Sequence, residues 1–254
     1  MRGATNIPVS LCEYAVVKGK LNPLKLYIYL KLNCNGYIRF DKPDMKKCSE
    51  TIGVTVKTVK TVKTLLQWLV KNKWVTVNSK RQVLHVVSYN RLKNKLKIRL
   101  QKGMKIELNS REDYKYFEAL CCGIVITHYL KRKNYFDRQS ECEKGRSKMN
   151  CNKMKGFHPM PNAYLACCLN VSISKAYRIK QRAEKAGYIE TKSNRVFLEK
   201  EDGSRVGIEH FETIRSITLK EDCSDRFRKG RKYIKFVSAD LIRSSLHLKR
   251  KRFV

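Results

Sequence analysis

Between residues 45 and 70 the apolar side chains recur at a helical spacing, interrupted once at Gly53. Before the glycine, Cys48, Ser49 and Ile52 mark the inner face of one short helix, with small Ser49 four residues upstream. After it, Val54, Val56, Val59, Val62, Leu66 and Leu69 fall on a single stripe. The Val-Lys-Thr repeat is rich in β-branched residues and would also suit a strand. Strand alternation, however, would send Val56, Val59 and Val62 to opposite faces. On a helix they stay together and leave Lys57, Lys60 and Lys63 outside with Thr58, Thr61 and Thr64. Two helices crossing at a small residue, joined through a residue that tolerates positive φ, make a helix-turn-helix.

The flanking pattern extends this unit. Asn22-Pro23 reads as a helix start, and Leu24, Tyr27, Ile28 and Leu32 give that helix a buried face closed by Asn35-Gly36. Residues 37–40 read as a short strand. Residues 74–78 and 83–88 read as two strands of a hairpin whose tip carries Lys80 and Arg81. Helix, strand, helix, turn, recognition helix and hairpin is the order of a winged helix. Residues 91–101 read as a basic connector, and Ser110 to Asp113 as a capping box that opens a long helix burying Phe117, Leu120, Cys121, Ile124, Val125 and Tyr129.

From Pro161 the central pattern repeats at an offset of 117. Cys48 aligns with Leu165, Ser49 with Ala166, Ile52 with Leu169, Gly53 with Asn170, Val54 with Val171, Val59 with Ala176 and Val62 with Ile179. Asparagine accepts a left-handed turn, so Asn170 keeps the physics of Gly53. Gly187 ends the second helix as Asn72 ends the first, and Tyr188 follows as Trp74 does. Residues 131–157 lack periodicity and read as a basic surface loop. Residues 188–191, 195–198 and 205–208 read as strands, with a hairpin turn at 201–204 and a further strand at 232–237. Residues 238–246 read as a final short helix and the end as a basic tail. Which segment forms the second wing stays open. The expected fold is mainly α with small β-hairpins (α+β), as two tandem winged helix-turn-helix domains: 1–95, a basic linker 96–109, and 110–254.

Charge changes the picture most. The chain has 254 residues with 56 Lys and Arg against 22 Asp and Glu, a formal net charge of +34. Such an excess repels itself unless a polyanion is the partner. No apolar run reaches the roughly 20 residues that span a bilayer, and the N-terminal stretch lacks a signal peptide's apolar core, so the expectation is a cytoplasmic, nucleoid- or plasmid-associated protein without a membrane partner. The ten cysteines then read as reduced; Cys48, Cys121, Cys122, Cys167 and Cys168 fall in helices among apolar residues. Cys142, Cys151 and His158 share one loop, but their spacing matches no common zinc module, so no metal is expected.

A helix of this kind fits the major groove of duplex DNA. The candidate contacts in the first copy are Thr55, Lys57, Thr58, Lys60, Thr61 and Lys63, with Lys80 and Arg81 at the hairpin tip. In the second they are Ser172, Ser174, Lys175, Tyr177, Arg178, Gln181 and Arg182. Arg178 can make a bidentate contact with guanine and Gln181 with adenine. The five histidines are scattered, no phosphate-binding glycine loop occurs, and the carboxylates cluster in caps and polar loops. The expectation is therefore a non-catalytic chain that uses no cofactor.

In its duplicated patterns at residues 48–62 and 165–179, its length and its charge, the chain resembles the replication initiators of iteron-type plasmids. That resemblance implies binding to repeated origin sequences, with the C-terminal winged helix reading the major groove through Ser174, Lys175, Arg178 and Gln181. It implies an N-terminal copy that contacts DNA or forms a homodimer. Two basic recognition helices and the long basic loop depart from that family. The leading expectation is a sequence-specific double-stranded DNA-binding protein of a bacterial mobile element, acting in replication initiation or transcription regulation, with replication or recombination proteins as further partners. The alternatives are an accessory DNA-bending factor for recombination or transposition and an RNA-binding protein.

Overall fold

The chain opens with β1 (Ala4–Pro8) and α1 (Val9–Lys18), which ends where Gly19 takes a left-handed φ of 65°. α2 (Leu21–Asn33) is buried almost all round: Leu24, Leu26, Tyr27, Ile28 and Leu30 have no exposed surface, so this helix is the centre of the first half. Pro23 sits in its first turn, where its missing N–H leaves no bond unmade. The structure is a computed structural model, and it describes residues 4–33, 37–39, 42–52, 59–78, 83–99, 102–143, 156–220, 227–237 and 239–250.

Next come β2 (Tyr37–Ile38), α3 (Lys42–Ile52), α4 (Val59–Lys71), β3 (Val75–Asn78) and β4 (Val83–Val86). The three strands form an antiparallel sheet in the order β2-β4-β3. Cys48, Ile52, Val62 and Leu69 are buried where α3 and α4 meet α2. Lys25 of α2 reaches the end of α3, where its Nζ donates to the Ile52 carbonyl at 3.3 Å. This satisfies a helix-terminal acceptor and places a cation at the negative end of the dipole. Trp74 is buried against Tyr14, Tyr27 and Trp68, and the Tyr27 hydroxyl donates to the Val87 carbonyl at 2.6 Å, tying α2 to the end of the sheet.

α5 (Tyr89–Leu96) is capped by Ser88 and leads into β5 (Lys102–Glu107). The sequence suggests a basic linker over 96–109. Instead β5 is the middle strand of a second sheet, paired along its length with β1, Ala4 opposite Glu107 and Pro8 opposite Gly103. Ser110 forms the expected capping box with Asp113 at the start of α6 (Arg111–Lys115). α7 (Phe117–Glu143) then runs for 27 residues. Residues 131–143, expected as surface loop, are therefore helix; the buried residues up to Leu130 carry the helix, and its polar second half extends beyond them.

The second half repeats the arrangement of the first. β6 (His158–Pro159), α8 (Asn162–Leu169), α9 (Ile173–Lys185) and β7 (Ile189–Lys192) follow α7, with α9 packed on both α7 and α8. The third strand arrives only after an inserted segment with its own antiparallel sheet, made of β8 (Arg195–Phe197), β9 (Phe227–Lys229) and β10 (Ile234–Val237) in the order β8-β10-β9. That segment also contains a 3-10 turn (Ile208–His210) and α10 (Phe211–Lys220). β11 (Leu241–Ser244) then completes a sheet in the order β6-β11-β7, matching β2-β4-β3 of the first half. Residues 238–246, expected as a helix, thus contain a central strand, because Ile242 and Leu246 fill the sheet's buried side. Finally β12 (Lys249–Arg250) pairs with β5, so part of the expected tail lies in the sheet that joins the start and the middle of the chain.

Candidate nucleic-acid interface

The ends of the two second helices explain how the copies correspond. α4 closes with Lys73 at a left-handed φ of 54°, and the Trp74 N–H donates to the Leu69 carbonyl at 2.8 Å. α9 closes with Gly187 at φ 74°, and the Tyr188 N–H donates to Ala183 at 3.0 Å. This is one helix-stop motif used twice. It aligns Lys73 with Gly187 and Trp74 with Tyr188, an offset of 114, whereas Ile52 and Leu169 keep the offset of 117. By the structure Val62 therefore corresponds to Ala176, not to Ile179, and Leu69 to Ala183; each of these pairs is fully buried. The extra residues of the first copy fall between its helices, and the turn at Gly53 lies outside the described residues.

In the second copy the turn is described. Asn170 has φ 51°, and the Val171 N–H donates to the Ala166 carbonyl at 3.0 Å, as a left-handed helix stop requires. Ser172 then caps α9, its side chain accepting from the Lys175 N–H at 3.2 Å. The inner face of α9, Ala176, Ile179 and Ala183, is buried. Lys180 joins it, with its Nζ donating to the Met160 carbonyl; burial pushes its ammonium down, and Asp240 and Glu184 partly offset that.

The opposite face is open. Ser172, Ser174, Tyr177 and Arg178 are exposed, Tyr177 at 48% and its neighbour Ile173 at 58%. Gln181 Nε2 donates to the Tyr177 hydroxyl at 2.9 Å, which orients both on this face. Arg178 Nε lies 3.4 Å from the Ser174 carbonyl of its own helix and leaves the guanidinium fork toward solvent. Two candidates are turned elsewhere. Lys175 Nζ donates to the Val17 carbonyl of α1 at 2.8 Å, and Arg182 pairs with Glu118 of α7 at 3.2 Å. Both side chains tie α9 to the body of the protein, because unpaired acceptors on α1 and α7 lie within reach of their long stems.

In the first copy Lys60, Lys63 and Thr64 are exposed on α4 and Thr61 is half-buried. Thr64 Oγ1 donates back to the Lys60 carbonyl at 3.0 Å, which leaves its methyl outward. Thr55, Lys57 and Thr58 lie outside the described residues, as do Lys80 and Arg81.

Further cations that sequence reasoning left unplaced lie on β7, β11 and the inserted sheet. Lys192 of β7 and Arg243 of β11 both lie over the Phe157 ring, at 4.3 and 5.1 Å from its centroid, and Arg243 also pairs with Glu190. On the inserted sheet, Phe197, Lys235 and Arg228 stand directly opposite one another across three strands, with Arg205 4.0 Å from the Phe197 centroid. Only the return of the chain at β11 brings Arg243 to Phe157 and Lys192, and no local pattern announces that return.

Among the described residues, no group of three or more His, Cys, Asp or Glu could hold a metal ion, and no helix is long and apolar enough to cross a membrane. Cys12, Cys48, Cys121 and Cys122 are buried free thiols; Cys167, expected in the core, is exposed on α8. Burial raises the Cys122 thiol to about 12, so it stays protonated. No protein family, curated protein or solved structure matches this chain.

Proposed function

We infer that the protein binds double-stranded DNA through two winged helix-turn-helix units, with α9 and α4 as the recognition helices. The observation that carries this reading is the open face of α9. Ser174, Tyr177, Arg178 and Gln181 line one side of a helix whose other side is sealed against α7 and α8. An arginine fork and an amide at this spacing match the donor and acceptor pattern of guanine and adenine in the major groove. The repeated sheet order, the two helix-stop motifs and the net charge of +34 support the same reading. Under it, Lys60, Lys63, Lys192 and Arg243 contact phosphate and set register, while Arg178 and Gln181 read bases.

Acting as a replication initiator or transcription regulator of a mobile element is the role this reading favours. Two recognition helices on one chain suit adjacent half-sites, as in the iteron-plasmid initiators it resembles. Anisotropy titration of a random-duplex pool, followed by footprinting of the selected sites, tests it. Expected are discrete protected sites and a log-log salt slope near −0.9 for each phosphate contacted. A shallow slope, or protection without sequence preference, would overturn it.

One observation favours a second reading, RNA binding. The inserted sheet presents Phe197 and Tyr233 among Arg205, Lys235 and Arg228, and single-stranded RNA is recognised on sheets by stacking and cations. Single-stranded RNA that displaces labelled duplex at equal nucleotide concentration would favour it over the first.

A further inference from the structure

Away from the recognition helices, a cavity of about 440 Å³ opens where α1, the segment after α5, β5, α7 and the end of α8 meet. Its size falls in the range of small-molecule sites. Lys18, Arg99, Lys102 and Arg132 line it, against the single carboxylate of Glu13. Tyr14, Tyr129 and Ile98 supply flat apolar wall. Two polar atoms of its lining, Ser10 Oγ and His128 Nδ1, are buried without a hydrogen-bond partner among the described residues. Four cations round one cavity, with a single carboxylate among them, point to an anionic partner that the chain itself does not supply.

The charge state of the lining narrows that partner. Burial, helped by Lys102 and Arg132, lowers His128 to about 4, so at neutral pH the ring offers one donor and one acceptor. Burial raises the Glu13 carboxyl, while a hydrogen bond from Tyr129 and the charge of Arg132 pull it down. The cavity therefore remains cationic at neutral pH.

We propose that this cavity is an effector site for a phosphate-bearing small molecule of mononucleotide size. The phosphate lies among Lys18, Arg99, Lys102 and Arg132, and a planar ring packs on Tyr14 and Tyr129. Val17, also in the lining, is the residue whose carbonyl receives Lys175 Nζ from the first turn of α9. The wall of the cavity and the start of the recognition helix thus share one hydrogen bond. A ligand that holds α1 in place holds that contact, and duplex and ligand then alter each other's affinity by the same factor. This second half rests on the DNA-binding reading of α9.

Isothermal titration of the full chain with adenosine 5′-monophosphate, and separately with inorganic phosphate, tests the site without DNA. Expected is one nucleotide bound per chain, with inorganic phosphate weaker. Arg99→Ala/Arg132→Ala, both exposed side chains whose loss spares the core, weakens the nucleotide by about tenfold or more. Lys46→Ala/Lys47→Ala removes the same charge from α3 and leaves binding unchanged, which controls for the overall charge of the chain. No binding, equal loss in both double variants, or equal affinity for phosphate and nucleotide overturns the site. In a second arm, the nucleotide shifts the duplex dissociation constant by about threefold and Lys175→Met removes the shift. Nucleotide binding with unchanged duplex affinity overturns the effector role. Because the first arm contains no DNA, failure of the duplex-binding reading leaves the nucleotide titration equally decisive.

Discussion

The two repeated units solve one packing problem with side chains of opposite size. In the first, Val62, Leu69 and a buried Trp74 fill the space between α4 and α2, and Tyr14, Tyr27 and Trp68 close round the indole. In the second, Ala176 and Ala183 take the places of Val62 and Leu69, and the helix beneath them carries Gly123. A Cβ at Gly123 would meet the Tyr188 Cβ at 2.8 Å, so α7 approaches the end of α9 as closely as backbone allows. Interaxial distance follows side-chain size, yet both units keep the same strand order and the same helix stop. The turns and left-handed residues set the topology; side-chain volume sets only the spacing. The strand pairs make the same point. Residues 79–82 join the strands of the first, whereas residues 193–240 separate those of the second, and the pairing survives because the entropy of closing a loop grows slowly with its length.

Several changes would break or sharpen this contrast. Trp74→Ala removes the largest buried side chain of the first unit and should lower stability by about 3–5 kcal/mol in urea titration. Tyr188→Ala, half-buried at the matching position, should lose clearly less; equal losses would refute the assignment of the larger core to the first unit. Gly123→Ala gains helix propensity but drives a methyl into Tyr188, for a net loss of about 1–3 kcal/mol. An unchanged or higher melting temperature would mean that α7 and the Tyr188 backbone are not held that close.

On the binding side the contrast is between reading and anchoring. Arg178→Ala should cost about 1–3 kcal/mol of duplex affinity and relax the preference at one base position. Lys60→Ala/Lys63→Ala should weaken binding to every sequence alike and reduce the salt slope by about one for each phosphate that is no longer neutralised. Competition titrations against single-base variants separate these; the same specificity profile in both would make Arg178 a phosphate contact. A smaller effect comes from the helix stops: Lys73→Gly copies Gly187 and should stabilise by up to about 1 kcal/mol, since lysine is strained at φ 54°. No gain would place the strain elsewhere.

A further change is expected with pH. An unfolded histidine takes its proton near pH 6.5, but His128 in the folded chain holds off to about 4, chiefly through burial. Below about 6.5 the unfolded state binds more protons, so this contribution is whole above that pH and declines as pH falls toward 4. His128→Gln should flatten part of the fall in melting temperature between pH 7 and 5. Parallel curves for parent and variant would show that His128 titrates normally.

Helix positions with a dense apolar stripe were legible along the chain, as were the capping box at Ser110 and the second copy at Leu165 to Leu169. Each is written in neighbours three or four residues apart. The departures from expectation have a common cause. The second half of α7 lacks an apolar face, so its periodicity is that of a loop. β11 is short and central, and its partners Ile189 and His158 lie far off in the sequence. The open face of α9 was readable in outline from Arg178 and Gln181, but nothing local separates them from Lys175 and Arg182, whose heads bind α1 and α7.

By itself, then, the sequence determined the local units: two helix pairs, the left-handed stops at Asn170 and Gly187, and a large excess of positive charge. Tertiary structure alone decided which strand completes the second sheet, which cations face outward, and that β1, β5 and β12 tie beginning, middle and end together. The reason is range. Helical periodicity and caps act within a turn or two, while strand pairing and the reach of a lysine depend on groups that only the folded chain brings into hydrogen-bonding distance.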